Sequence, residues 1–380
     1  MRPVSVLIFH APAQGSGPRE AQLVAARGAL AQVHRRQFLA AGADAVRIVV
    51  EPPGDSPFAD RLRRALVNDR NGSPEAHRPG RKRARPEPGT RGGGGLVVLG
   101  SGALPLARLA DLRRLVEVAA GPPGRALANN LYSADAFAIA DADVLAAMPP
   151  FRGDNEVPRW LAEEAGVGVA DLRDRWRLQA DLDSPLDIIL AARDRSCPRP
   201  IRGLGGTALA DAARGPLRTA LAEVARVMGD RSAELVVVGR TSATTLRWLE
   251  TQTRCRVRAI VEERGLRAAG EANRRPPRSL LGRVLDLEGP DSLALQLAEL
   301  GDAAIVDSRV LLAHRLGADE RLWPAAEDRF ASDLLDAQAI ADPWLRALTS
   351  SAANGGLPIL LGGHSLVGPS VRLLGPVLHE

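Results

Sequence analysis

The residues able to do chemistry fall in a few short segments. Asp181 and Asp183 stand one residue apart in Ala180-Asp181-Leu182-Asp183-Ser184-Pro185-Leu186-Asp187. Their types suit either a ligand-facing strand end or a turn with an N-cap for a helix opening at Pro185. Gly15 and Gly17 bracket Ser16 in the loop after the first apolar run, where glycines also serve as plain turn residues. Asn129-Asn130, followed by Tyr132-Ser133, could contact a base or an acceptor, or form a turn. Gly239-Arg240-Thr241-Ser242 follows an apolar run and opens a helical one, so its amides could hold an anion, with Ser242 as an ordinary N-cap as the alternative. Gly363-His364-Ser365-Leu366-Val367-Gly368 lacks the glycine at 367 that a nucleophile elbow needs, which leaves a ligand loop or a glycine turn. His10 ends the first strand, and Asp307, Asp328-Arg329 and Asp333 add charge near strand ends of the second half. The histidines and cysteines show no metal-site spacing.

Positioning these groups requires alternating strands and helices. The first half reads as strands at 4–9, 45–50, 95–100, 135–139 and 177–182, with helices over 19–41, 58–67, 106–120 and 158–166 and a short one after Pro185. The run Gly95-Leu96-Val97-Val98-Leu99-Gly100 is apolar throughout, as expected of a parallel strand buried on both faces. The stretch from Arg195 to Gly206, containing Pro and Gly, reads as a domain boundary. Beyond it come helices over 215–228 and 242–251 and apolar runs at 235–239, 257–261, 303–307 and 357–362. The fold class is α/β, with a Rossmann-type domain over 1–194 and a second α/β domain over 207–380.

The chain has 380 residues and a formal net charge of +5. Two cysteines, Cys197 and Cys255, cannot build a disulfide framework and suit a reducing, cytoplasmic setting. Apolar runs are too short for a membrane helix, so no membrane is expected as a partner. Segment 70–95 loses all periodicity and carries seven basic residues against two acidic ones. That insertion, expected to be disordered, holds the whole formal surplus, and aromatic residues are only 3% of the chain. No specific nucleic-acid partner is therefore expected.

The order of strand, glycine-containing loop, helix, strand, apolar strand ending in Leu104-Pro105, and late Asp181-Leu182-Asp183-Ser184-Pro185-Leu186-Asp187 resembles GT-A-type nucleotidyltransferases. The molybdenum-cofactor and phospholactate guanylyltransferases are the nearest in pattern, and the resemblance spans about residues 4–193. It implies transfer of a nucleoside monophosphate from a nucleoside triphosphate with Mg²⁺ as cofactor. The partner would be a nucleotide or nucleotide-linked small molecule of cofactor or glycan metabolism. By resemblance Gly15 and Gly17 lie in the nucleotide loop, Arg19 or Arg27 is the phosphate cation, and Asp183 is the metal ligand with Asp181 beside it. Here the turn reads Ser101-Gly102-Ala103 without a carboxylate, and the only lysine is Lys82. An inactive relative that binds a nucleotide or a partner is the alternative.

Overall fold

The computed structural model describes residues 2–13, 15, 17–52, 56–70, 94–151, 153–212, 215–264 and 275–375, with the side chains of 68–70 and 207–212 left aside. These residues form two units: 1–14 with 27–181, and 15–26 with 182–380. Both are α/β.

The first unit is built on a six-stranded sheet. Its elements are β1 (Val4–His10), α1 (Pro18–Ala41, its first part grouped with the second unit), β2 (Ala45–Val50), α2 (Phe58–Arg70), β3 (Gly95–Gly100) and α3 (Leu109–Ala119). There follow β4 (Arg125–Ala128), β5 (Ala136–Ile139), α4 (Val157–Glu163) and β6 (Gly168–Asp171). The sheet order is β2-β1-β3-β5-β4-β6, with β5 antiparallel to both of its neighbours and the other pairings parallel. Strand alternation sends Val4, Val6 and Ile8 of β1 to one face and Leu7 and Phe9 to the other. On the first face they pack with Phe38 of α1 and Leu112, Leu115 and Val116 of α3. On the second they pack with Phe58 and Leu62 of α2 and Trp160 and Leu161 of α4. A sheet covered on both faces is why β3 reads as an unbroken apolar run and β1 as one interrupted only by Ser5 before His10.

The second unit contains α5 (Pro185–Ala191), α6 (Arg199–Ala212), α7 (Pro216–Met228), β7 (Glu234–Gly239), α8 (Ala243–Gln252) and β8 (Arg256–Val261). It continues with α9 (Leu280–Glu288), α10 (Leu293–Ala298), β9 (Ala303–Asp307), α11 (Ser308–Leu316), α12 (Ala326–Asp333), α13 (Pro343–Asn354), β10 (Ile359–Gly362) and α14 (His364–Val367). Its four strands are all parallel in the order β10-β9-β7-β8. The four apolar runs expected in the second half are these four strands.

Other expectations need correction. The stretch 195–206 is not a linker, because α6 starts at Arg199 and Pro200 occupies its first turn, where a missing amide N–H costs nothing. Gly205 serves a helix crossing: a Cβ there would lie 2.7 Å from the Ile188 carbonyl oxygen of α5. The division between units therefore falls at Asp181/Leu182 rather than after 194. Residues 177–182 do not form a strand. Gln179 Nε2 donates to the carbonyls of Asn129 and Leu172, tying the segment down locally, and only Asp181 pairs in sheet fashion, with Ala103. The four-residue β4 and β6, alanine-containing and short, escaped the periodicity reading. Of the expected basic insertion, Arg70 ends α2 and Gly95 opens β3, while 71–93 lie outside the described residues.

The Leu104-Pro105 turn is held from below. Leu104 has φ +58°, a left-handed conformation that costs a leucine about 1–2 kcal/mol. Buried His34 of α1 hydrogen-bonds its backbone and stacks edge-on against Phe38. Burial drives the His34 imidazole down to about 4, so it stays neutral in the folded unit. The unfolded chain binds this proton more readily between about pH 4 and 6.5, so stability falls as pH drops through that window. The contribution is on the order of 3 kcal/mol. Replacing His34 by Gln should shrink the loss of Tm between pH 7 and pH 5 in thermal denaturation; an unchanged loss would remove His34 as the cause.

Candidate functional site

In each sheet the chain turns from one side to the other at one pair of neighbouring strands, and the carboxyl ends of such a pair are where open α/β sheets bind ligands. In the first unit the pair is β1 and β3. His10, the last residue of β1, places Nδ1 3.0 Å from Oγ of Ser101, the residue after β3. The Ser101 amide donates to the Phe9 carbonyl at 2.8 Å, which fixes the hydroxyl beside the ring. Burial and the Arg27 guanidinium both push the His10 imidazole below its usual value, so it is neutral near pH 7. Gly28 lies under the ring, where even a Cβ would stand 3.5 Å from it. His10, Ser101 and Arg27 thus form one polar group at the first switch point.

The other sequence candidates of this unit are structural in their visible bonding. Asn129 Oδ1 accepts from the amides of Asp135 and Ala136, and its Nδ2 donates to the Leu178 carbonyl at 2.9 Å. Asn130 Oδ1 accepts from the amides of Tyr132 and Ser133, and its Nδ2 donates to Gln179 Oε1. Both side chains hold the turn between β4 and β5, in agreement with the turn alternative. Asp181 is buried and pairs with Ala103, which brings a carboxylate to the turn that lacks one in sequence.

In the second unit the loop candidates meet carboxylates. The Gly15 amide donates to both oxygens of Glu20 at 3.0 Å. Glu327 accepts from the amides of Arg19 and Glu20, and a Cβ at Gly17 would lie 2.2 Å from Glu327 Oε2. Arg19 pairs with Glu327 at 2.9 Å and also with Asp336. The start of α1, where a phosphate cradle was expected, is thus neutralised by the chain's own carboxylates. Asp183 lies beside the N-cap of α5. Ser184 caps that helix, and Asp187 Oδ2 accepts from the amides of Asp183 and Ser184 at 3.1 and 2.8 Å. Within their units, the candidates fall into separate places: Arg27 with His10, Asn129 with Asn130, Gly15 and Gly17 with Arg19, and Asp183 with Asp187.

The densest polar set was only partly visible in sequence. At the end of β9, buried Asp307 accepts from Arg240 Nε at 2.6 Å and Nη2 at 3.1 Å, and its Oδ1 caps α11 at the Arg309 amide. Burial pushes the Asp307 carboxyl up, but the Arg240 guanidinium overrides it and the net position is below the ordinary carboxylate value. Buried Arg309 forms a two-pronged ion pair with Asp333 of α12. The signal available in sequence was position, since Arg240 and Asp307 flank the ends of two apolar runs. Arg309 escaped because a lone arginine after a strand reads as surface.

Gly239 is required here. Its φ is +125°, and a Cβ would lie 2.3 Å from the Asp307 Cβ. Gly239→Ala should cost more than about 2 kcal/mol in denaturant unfolding, from strain and overlap together. Asp187 supplies a second measurable consequence. Burial first, and then the neighbouring Asp183 charge, raise its carboxyl from 3.8 to about 7. The folded protein therefore holds this proton between about pH 4 and 7 while the unfolded chain has lost it, and stability declines as pH rises across that range. The Tm of Asp187→Asn relative to the native chain should rise from pH 5 to pH 8; a constant difference would show that the carboxyl does not titrate there. No family model matches this chain, and neither a curated protein nor a solved structure matches it.

Proposed function

We propose that the chain is a nucleotidyltransferase-like protein with a GT-A-like first unit, handling a nucleotide or nucleotide-linked small molecule in cofactor or glycan metabolism. The observation that carries the reading is the group His10, Ser101 and Arg27 at the switch point of the first sheet. A neutral imidazole, a hydroxyl and a guanidinium together suit an anionic phosphate chain, and in open α/β sheets nucleotides bind at that place. The first unit keeps part of the pattern on which the resemblance rests, with β1, β2 and β3 in that chain order and Leu104-Pro105 in the turn after β3. Two buried free cysteines fit a cytosolic setting.

Mg²⁺ fits this donor set in one mode only. Among the described residues no three His, Cys, Asp or Glu side chains gather as a metal cage. The ion would come with the nucleotide's phosphates and use a carboxylate of the same unit, Asp181, whose pairing with Ala103 brings it to the turn after β3, since Mg²⁺ commonly binds through one or two carboxylates plus substrate oxygens. Once bound it would neutralise charge on the reacting phosphates. The chain's own part is then positioning: Arg27 offsets phosphate charge, and neutral His10 with Ser101 offers donors at the strand ends.

One observation favours a second reading, a binding module without transfer activity. The turn Ser101-Gly102-Ala103 carries no carboxylate of its own, and the amides of Gly15, Arg19 and Glu20 are taken by Glu20 and Glu327. Pyrophosphate release in the presence of an acceptor separates the two readings.

Thermal shift with GTP, CTP, ATP and UTP, with and without Mg²⁺, tests nucleotide handling itself. One nucleotide should raise Tm in a Mg²⁺-dependent manner. Arg27→Ala should weaken that nucleotide about tenfold or more, the scale of one charge-assisted contact, and Asp181→Ala should remove the Mg²⁺ dependence. A chain that responds to none of the four nucleotides does not handle one.

A further inference from the structure

The second sheet has a switch point of its own, between β7 and β9, because β8 lies on one side of β7 while β9 and β10 lie on the other. A ligand crevice is expected at the carboxyl ends of those two strands. The loop Arg240-Thr241 leaves β7 there, and Ser242 opens the ten-residue α8.

We propose that this edge is a phosphate-binding site, built by Arg240, Thr241 and the first turn of α8. Thr241 is 1% exposed, and its Oγ1 has no hydrogen-bond partner among the described residues. A buried hydroxyl left unpaired is unfavourable in a finished core, and a ligand oxygen at this edge would satisfy it. The helix supplies further donors. Ser242 Oγ takes the Thr245 amide at 3.1 Å, and the Leu246 amide bonds to the Ser242 carbonyl, which leaves the Ala243 and Thr244 amides at the open end of the helix. Charge is arranged around the same turn. Arg240 gives Nε and Nη2 to Asp307, so its orientation is fixed while Nη1 is not used by that pair. Arg372 Nη2 donates to the Thr244 carbonyl at 3.3 Å, and its guanidinium lies 5.5 Å from the Trp248 ring centre on α8. Asp307 does not offer a competing cation site, since its carboxylate is already committed to Arg240 and to the Arg309 amide.

The hydroxyls of Ser242, Thr244 and Thr245 bond among themselves, so two arginines, the helix start and the Thr241 hydroxyl make the donor set for a compact, multiply charged oxyanion. The phosphate arrives either free or as the monoester of a small molecule. The site is independent of the nucleotide reading, which rests on the first unit.

Calorimetric titration of the full chain with inorganic phosphate and with glycerol 3-phosphate tests it. Saturable binding is expected. Thr241→Val keeps the shape of the side chain and removes only the hydroxyl, so its Tm should stay equal or rise while phosphate binding weakens about tenfold. Arg240→Gln should weaken binding as well. A tighter ester assigns the ligand as a phosphorylated small molecule and equal affinities assign free phosphate, both in support of the site. Absence of binding, or binding unchanged in Thr241→Val, overturns it. Arg27→Ala, in the first unit, should leave this binding as it is, so the two readings fail separately.

Discussion

Parallel strand pairing is the constraint on which both units depend. Each parallel strand is entered from the same edge, so its carboxyl end and the start of the next helix collect on the opposite edge. That edge accumulates amide N–H groups with no intrahelical acceptor, and the chain must satisfy them with side chains or leave them for a ligand. His10, Ser101, Arg240, Thr241, Asp307 and His364 all stand at or just after strand ends for this reason. The reversed β5 adds a local exception, and the turn before it needs Asn129 and Asn130 as internal clamps.

The buried charges of the second unit follow from the same geometry. Asp307 sits where a strand end and a helix start coincide, so it caps α11 and at the same time orients Arg240. Arg309, two residues further, cannot reach water with its whole guanidinium and is matched by Asp333. A buried pair of this kind is weak support for stability by itself, because desolvation offsets most of the attraction. Its effect is on position: it ties the start of α11 to the end of α12. Gly239 completes the arrangement by letting the two strand ends approach without a side chain between them.

The loop before α1 shows the opposite outcome at another helix start. Gly15, Gly17 and Arg19 have the composition of an anion-binding loop, yet Glu20 and Glu327 are the anions they meet. Composition cannot distinguish these cases, because Glu327 is more than 300 positions away in the chain. Asp183 and Ser184 are similar: the N-cap reading holds locally, and the coupling of Asp187 to Asp183 and Asp333 arises from packing.

By itself the sequence determined the α/β class, the apolar strands β1, β3, β7, β9 and β10, and the local caps at Ser184 and Ser242. These rest on periodicity, on continuous apolar runs and on side chains that bond within three or four residues. Short β4 and β6 lacked enough apolar repeat to announce themselves, and Pro200 with Gly205 looked like a linker because helix starts and close helix crossings use the same residues. Only the tertiary structure decided strand order, the reversal of β5, the division at Asp181, and the pairing of His10 with Ser101 and of Arg240 with Asp307. The physical reason is that hydrogen-bond and charge partners are set by sheet order and burial, which bring together residues far apart in the chain.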